Sequence, residues 1–165
     1  MLNSLQLRPI TATDTDTLFS IYASTRLDEL QPTGWSDAEK QRFLLQQFNA
    51  QHRYYQDIYT GARFDLVIAQ GAVAGRLYVA RWPAEIRIID IALLPSFRRQ
   101  GIGATLLQQL LDEGDQAGQR ISIHVEISNP ARRLYEKLGF SKAEDLGLYW
   151  RMEREPRALP CPDIA

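Results

Sequence analysis

Apolar spacing changes along the chain, and each change marks a change of element. Leu5-Gln6-Leu7-Arg8-Pro9-Ile10 alternates apolar and polar residues, which predicts a short strand. Pro9 restricts that strand to a sheet edge. Leu18, Ile21 and Tyr22 then recur at helical spacing, with Thr13 and Asp16 as a start signal. Gln31-Pro32-Thr33-Gly34 breaks that helix. Ser36 and Glu39 stand at capping-box spacing, and Phe43, Leu44, Phe48, His52, Tyr55 and Tyr59 predict one long helix ending near Tyr59.

From Phe64 the pattern turns to strands. Phe64–Ala69 and Val73–Arg81 read as a hairpin around Gln70-Gly71, with Gly75 as a bulge position. Trp82-Pro83 ends it, and Glu85–Leu94, rich in β-branched residues, predicts a mostly buried strand. Gly101–Ala117 carries Ile102, Leu106, Leu107, Leu110 and Leu111 on one helical face, and Gly118 stops it. Arg120–Glu126 is another strand. Asn129-Pro130 opens a helix with Ala131, Leu134, Tyr135 and Leu138 as its apolar face, closed by Gly139. Two short strands follow, near Phe140–Glu144 and Leu148–Glu153. Strand–helix–strand order in the second half implies a parallel pair with a right-handed crossover, and the flanking hairpins imply antiparallel pairs. The fold class is α/β (α+β): a central mixed, twisted sheet of six to seven strands with helices on both faces.

Composition narrows the class. The 165 residues suit one domain, expected over 1–154, with 155–165 as an irregular, proline-bearing extension. A content of 45% hydrophobic and 24% charged residues excludes disorder as the main state. The single cysteine, Cys161, excludes an intrachain disulfide framework. With only His52 and His124 beside it, no metal site is expected. His124 alternates with Ile123 and Val125 and reads as a hydrogen-bonded or cleft-lining group. A net charge of −1 argues against a dedicated nucleic-acid or membrane-surface binder. The longest apolar runs fall far short of the roughly 20 residues a spanning helix needs. Met1–Arg8 lacks a secretory pattern, so a cytoplasmic protein is expected.

The chemistry concentrates in Ile91-Ala92-Leu93-Leu94-Pro95-Ser96-Phe97-Arg98-Arg99-Gln100-Gly101-Ile102-Gly103-Ala104. A strand ends, a basic turn follows, and a helix opens on Gly-x-Gly. Helix N-termini attract anions, and glycines let a diphosphate approach the backbone closely. Arg98 and Arg99 add charge-assisted contacts. The turn is not a Walker loop, because no Lys-Ser/Thr follows the glycines. Leu106 stands where a dinucleotide fingerprint has its third glycine.

Arg98-Arg99-Gln100-Gly101-Ile102-Gly103 resembles the Gln/Arg-x-x-Gly-x-Gly/Ala signature of the GNAT superfamily of N-acetyltransferases. Asn129-Pro130-Ala131-Arg132-Arg133-Leu134-Tyr135-Glu136-Lys137-Leu138-Gly139-Phe140 is similar to that superfamily's Asn…Ala…Leu-Tyr-x-x-Leu-Gly-Phe block. The likeness runs from about Leu5 to Arg154. It implies a GNAT sheet splayed between parallel strands near 85–94 and 120–126, with acetyl-CoA as the acetyl donor in the opening. It implies that the backbone of Ile91 and Leu93 pairs with the pantetheine arm. The turn of Arg98, Arg99, Gln100, Gly101, Ile102, Gly103 and Ala104 would receive the diphosphate. Asn129 would hydrogen-bond the pantetheine, and Tyr135 would point its hydroxyl at the sulfur as general acid.

The proton acceptor is open at this point: Asp90 or Glu85 on the first splayed strand, Glu126 beyond the second, or a water chain. The expected reaction is direct, ternary-complex transfer to a primary amine of a small molecule or peptide, because Cys161 lies outside the motifs. Family members often dimerise, so a homodimer is compatible with the likeness. Two alternatives stand beside this reading. One is a non-catalytic CoA or acyl-CoA sensor; the other is an acyltransferase for longer acyl-CoA.

Overall fold

The computed structural model of the chain describes residues 4–158. Among them, seven strands and four α-helices follow in the order β1 (Leu5–Pro9), α1 (Thr15–Arg26), α2 (Asp37–Ile58), β2 (Arg63–Ala69), β3 (Ala72–Arg81), β4 (Glu85–Leu93), α3 (Ile102–Ala117), β5 (Arg120–Glu126), α4 (Arg132–Lys137), β6 (Ser141–Asp145) and β7 (Tyr149–Arg154). The strands form one mixed sheet in the order β1-β2-β3-β4-β5-β7-β6, flanked by helices. β4 and β5 run parallel, while β1–β2, β5–β7 and β6–β7 are antiparallel. This is the architecture the pattern predicts. β1 lies at an edge, where the N–H that Pro9 lacks breaks no central ladder. The position of β7 between β5 and β6 was not predicted. β7 buries Met152 and Arg154, whereas all five residues of β6 are exposed.

The chain divides into two compact units: the residues up to Tyr78 with Asp90–Gly103, and Val79–Ile89 with the chain from Ala104 onward. In the first unit, α1 and α2 bury Leu18, Ile21 and Tyr22 together with Leu44 and Phe48. The Phe48 ring meets Phe19, Tyr22 and His52 at 5.5–5.8 Å. Ser36 and Glu39 form the expected reciprocal cap of α2. The start of α1 differs from expectation. Thr11, not Thr13, opens it through a 3₁₀ turn, Ala12–Asp14, and the Thr11 N–H donates to Asp14 Oδ2 at 2.7 Å. Arg8 of β1 then grips Asp14 with two hydrogen bonds.

Those Arg8 bonds, followed by the Thr11 N–H, hold the Asp14 carboxyl down at about 2. The stabilisation it brings is therefore complete above the ordinary carboxylate range and is lost as pH falls toward 2. We expect Asp14→Asn to lower the melting temperature at pH 7. The gap from wild type should narrow steadily between pH 5 and 2, as thermal melts across that range will show.

Gln31–Gly34 is not a simple break but the end of a 3₁₀ segment, Leu27–Thr33, closed by left-handed Gly34. Gln70 and Gly71 both take positive φ (52° and 78°), the signature of a tight type I′ hairpin turn. At Gly75 the requirement is close approach: a Cβ there would overlap the Ala92 carbonyl oxygen and stand 2.9 Å from Leu93 Cα.

In the second unit, Ile86, Ile88, Ile121, Ile123, Val125 and Met152 are buried. α3 contributes Leu106, Leu107, Leu110 and Leu111 to the same core, and Gly114 brings it against Ile121 of β5. Buried Arg154 is bound by Asp115 of α3 at 2.8 Å. α4 is shorter than predicted and starts late, because the Asn129 side chain accepts from Ala131 N–H and holds the entry as a turn. Of its expected apolar face only Tyr135 is fully buried, and Leu134 is exposed. Residues 155–158 have no regular structure, although Arg157 N–H donates to Asp115. The rest of the expected extension, Pro160, Cys161 and Pro162 included, lies outside the described residues. No helix among the described residues is long and apolar enough to cross a membrane.

Candidate functional site

The parallel ladder between β4 and β5 is short. It pairs Glu85–Ile88 with Arg120–Ile123 and ends there, although β4 runs to Leu93 and β5 to Glu126. Burial follows the ladder. Ile86, Arg87 and Ile88 are buried, while Ile89–Leu93 are only half-buried despite being almost wholly apolar. The expectation of a mostly buried strand fails for that second half. A strand half with no β5 partner cannot be sealed from both sides.

In the first unit β4 leads through a 3₁₀ turn, Pro95–Phe97, to the basic turn before α3. Arg99 and Gly101 take positive φ (61° and 80°), which swings the chain into the helix. Arg98 Nε donates to Leu93 O at 2.9 Å, and the Gln100 amide donates to Ser96 O at 2.8 Å. These two side chains therefore brace the turn in this structure, and Arg99 is exposed beside them. The two glycines differ. Gly101 is required by its backbone angle, but Gly103 is not: a Cβ there would meet only Leu93 Cδ1, at an ordinary 3.8 Å.

Asp90 is committed to an ion pair. Its Oδ2 accepts from Arg76 Nη2 at 2.5 Å, and Gln51 Oε1 accepts from the same nitrogen at 2.9 Å. The Arg76 side chain is 3% exposed and that of Asp90 17%. The guanidinium also lies over the Tyr78 ring, at 5.0 Å. Sequence reasoning missed Arg76. Its signal was present: a single cation inside the otherwise apolar run Ala74–Ala80 needs a buried partner.

In the second unit Glu85 accepts from Arg87 Nη2 at 3.4 Å, and Arg120 stands 4.0 Å away. Arg87 is buried beneath Trp82. It donates through Nε to Ser122 Oγ at 2.6 Å and places Nη1 3.4 Å from His124 Nε2. Cross-strand register puts these groups on one face: Glu85 opposite Arg120, Arg87 opposite Ser122, Ser122 opposite Glu153, and His124 opposite Arg151. Arg151 in turn binds Glu153 and Glu144. Partial burial, then Arg87 and Arg151, lower the His124 pKa, with Glu144 and Glu85 opposing. Tyr149 donates to Glu126 at 3.4 Å. Tyr135 stands edge-on to Phe140, with ring centroids 5.8 Å apart. The three carboxylates considered as bases thus fall into separate settings. Among the described residues no cluster of His, Cys, Asp or Glu is arranged to hold a metal.

Residues 18–140 match the Acetyltransferase (GNAT) family, and the chain belongs to that family. It is 31% identical over 105 residues to the N-alpha-acetyltransferase of Saccharolobus solfataricus, covering 54% of this chain and 63% of that protein. It is 41% identical over 61 residues to the [Ribosomal protein bS18]-alanine N-acetyltransferase of Escherichia coli K12, covering 36% of this chain and 41% of that protein. The chain thus matches less than two thirds of the length of these relatives. Among solved structures, the PaiA N-acetyltransferase of Thermoplasma acidophilum in complex with coenzyme A superposes with a TM-score of 0.67 at 17% identity, over 92% of this chain and 99% of that one. The E. coli ribosomal-protein-S18-alanine N-acetyltransferase does so with a TM-score of 0.62 at 20% identity, over 96% and 98%. At such identities the likeness is one of fold.

Proposed function

We propose that residues 1–154 act as one domain that transfers an acetyl group from acetyl-CoA to the α-amine of a peptide or protein. The observation that carries the donor is Gly103. The protein's own packing leaves room for a side chain there. An alanine in a helix is better than glycine by about 1 kcal/mol. Glycine at that point suits a ligand that must reach the first turn of α3 without meeting a Cβ, as a diphosphate does. The acceptor class is supported by the names of two relatives above, an N-alpha-acetyltransferase and a [Ribosomal protein bS18]-alanine N-acetyltransferase.

Acetyl transfer forms a C–N bond and breaks the thioester C–S bond. A tyrosine hydroxyl can protonate the departing thiolate, and Tyr135 takes that role here. Ile91 and Leu93 present backbone to the pantetheine, and Asn129 adds a side-chain hydrogen bond to it. The test uses acetyl-CoA and a short peptide with an N-terminal alanine, reading free thiol. Peptide-dependent thiol release is expected. Acetyl-CoA binding without release would instead favour the sensor alternative. We expect Tyr135→Phe to slow release about 100-fold. It should keep the thermal shift given by acetyl-CoA, because the ring against Phe140 is preserved. Unchanged turnover would remove Tyr135 as the acid.

A further inference from the structure

We infer that Arg154 is a positioning residue: anchored on Asp115, it holds the C-terminal end of α4 and so fixes where the Tyr135 hydroxyl points. This rests on the reading of Tyr135 as the acid and adds what keeps that acid in place.

α4 has little of its own to hold it. Its six residues fall well short of the roughly 12–15 that an isolated helix needs, so contacts outside it must set its place. Of those residues only Tyr135 is buried. The two ends are secured separately. At the entry, the Asn129 side chain accepts from Ala131 N–H, and Arg132 donates to Ile127 O at 3.0 Å while lying over the Trp150 ring. At the exit, Arg154 Nε donates to Leu138 O at 3.1 Å. Leu138 caps the helix just after Tyr135. Phe140 follows, its N–H returning to Tyr135 O at 3.0 Å and its ring edge-on to the tyrosine.

The guanidinium joins two elements. Register places Arg154 opposite Ile121, on the face of β5 that α3 covers, and its side chain is 4% exposed. Nη1 and Nη2 donate to the two oxygens of Asp115 on α3, at 2.8 and 3.3 Å, while Nε serves α4. A guanidinium is planar, with its donors in a fixed fork. The direction of Asp115 therefore dictates the direction in which Nε meets Leu138. A simple buried pair would need only the Asp115 side of this arrangement. Gly139 tightens it: the residue takes a φ of 99°, and a Cβ there would stand 2.7 Å from Arg157 Nη2 and 3.6 Å from Arg154 Nε. Arg157 N–H also donates to Asp115 Oδ1, at 2.8 Å. The bonds from Arg154, ahead of that from Arg157, hold the Asp115 carboxyl below the ordinary carboxylate range against its partial burial. The anchor is therefore charged at every pH at which an amine reacts.

Loosening Arg154 lets the exit of α4 shift while its entry stays tied. Acetyl-CoA binding draws on the entry, through Asn129, and the rate draws on Tyr135, so the two should separate. A displacement of about 1 Å costs a reacting group up to roughly 100-fold.

The experiment measures kcat and the KM for acetyl-CoA with the alanine peptide, beside thermal melts with and without acetyl-CoA. Arg154→Lys keeps a cation for Asp115 but cannot hold both directions. It should lower kcat roughly 10- to 100-fold and leave KM and the acetyl-CoA shift nearly unchanged. In a Tyr135→Phe background the same substitution should cost almost nothing further, because the group it positions is gone. Arg154→Met with Asp115→Leu removes both charges and should melt close to wild type while keeping the low kcat. Arg154→Lys with kcat within about threefold of wild type would overturn the proposal. So would a loss that adds in full to that of Tyr135→Phe, or a double variant that regains kcat along with its melting temperature. Failure of the acetyltransferase reading looks different: wild type then shows no peptide-dependent thiol release, and the role of Arg154 goes with it.

Discussion

Gly103→Asp is expected to weaken acetyl-CoA binding at least 100-fold while leaving the fold as stable as wild type, or slightly more stable. The two halves of that result have different causes. The added Cβ meets only Leu93 Cδ1 at 3.8 Å, so the protein itself resists nothing. A carboxylate in the first turn of a helix is favoured by the helix dipole, by about 0.3–1 kcal/mol. The diphosphate would meet both the new side chain and its negative charge. Calorimetric titration of acetyl-CoA, beside a thermal melt of the free protein, separates the effects. Binding within threefold of wild type would make the turn a structural feature alone. A collapsed melt would mean that Gly103 does serve the protein's packing.

The largest stability loss is expected at Asp90. Asp90→Ala strands the Arg76 guanidinium, whose side chain is 3% exposed, beside Gln51 and the Tyr78 ring and without its carboxylate. Removing one member of a buried pair costs about 3–5 kcal/mol. For a chain of this length that lowers the melting temperature by roughly 6–20 °C. Replacing both members, Arg76→Met with Asp90→Leu, should recover most of the loss, because neither charge is then left unpaired. Thermal melts of the single and double variants decide it. Equal losses in both would show that the pair contributes through packing rather than charge.

What the sequence revealed and what it hid divide along chain distance. The Ser36–Glu39 cap and the Gln70-Gly71 turn are local, and each was legible from a few adjacent residues. The start of α1 was misplaced because the residue that secures Asp14 is Arg8, on a different element. Gly75 was read as a bulge because nothing near it in sequence announces the backbone of Ala92. The Arg76–Asp90 pair and the polar ladder from Glu85 to Glu144 required strand register, which alternation alone does not specify. His124 was visible as a histidine in an apolar strand. Only the register places two arginines against it.

The strand order of the second unit also bears on how the chain is made. A nascent chain releases β6 before β7, yet among the described residues β6 pairs only with β7 in the finished sheet. Emergence of Ser141–Asp145 from the ribosome therefore gives β6 nothing to join, and β5 keeps an open edge beside Ile121, Ile123 and Val125. That edge closes only once Tyr149–Arg154 has been synthesised and inserted between them. A translational pause within the hairpin leaves an apolar strand edge unguarded, a setting in which chaperones and aggregation compete.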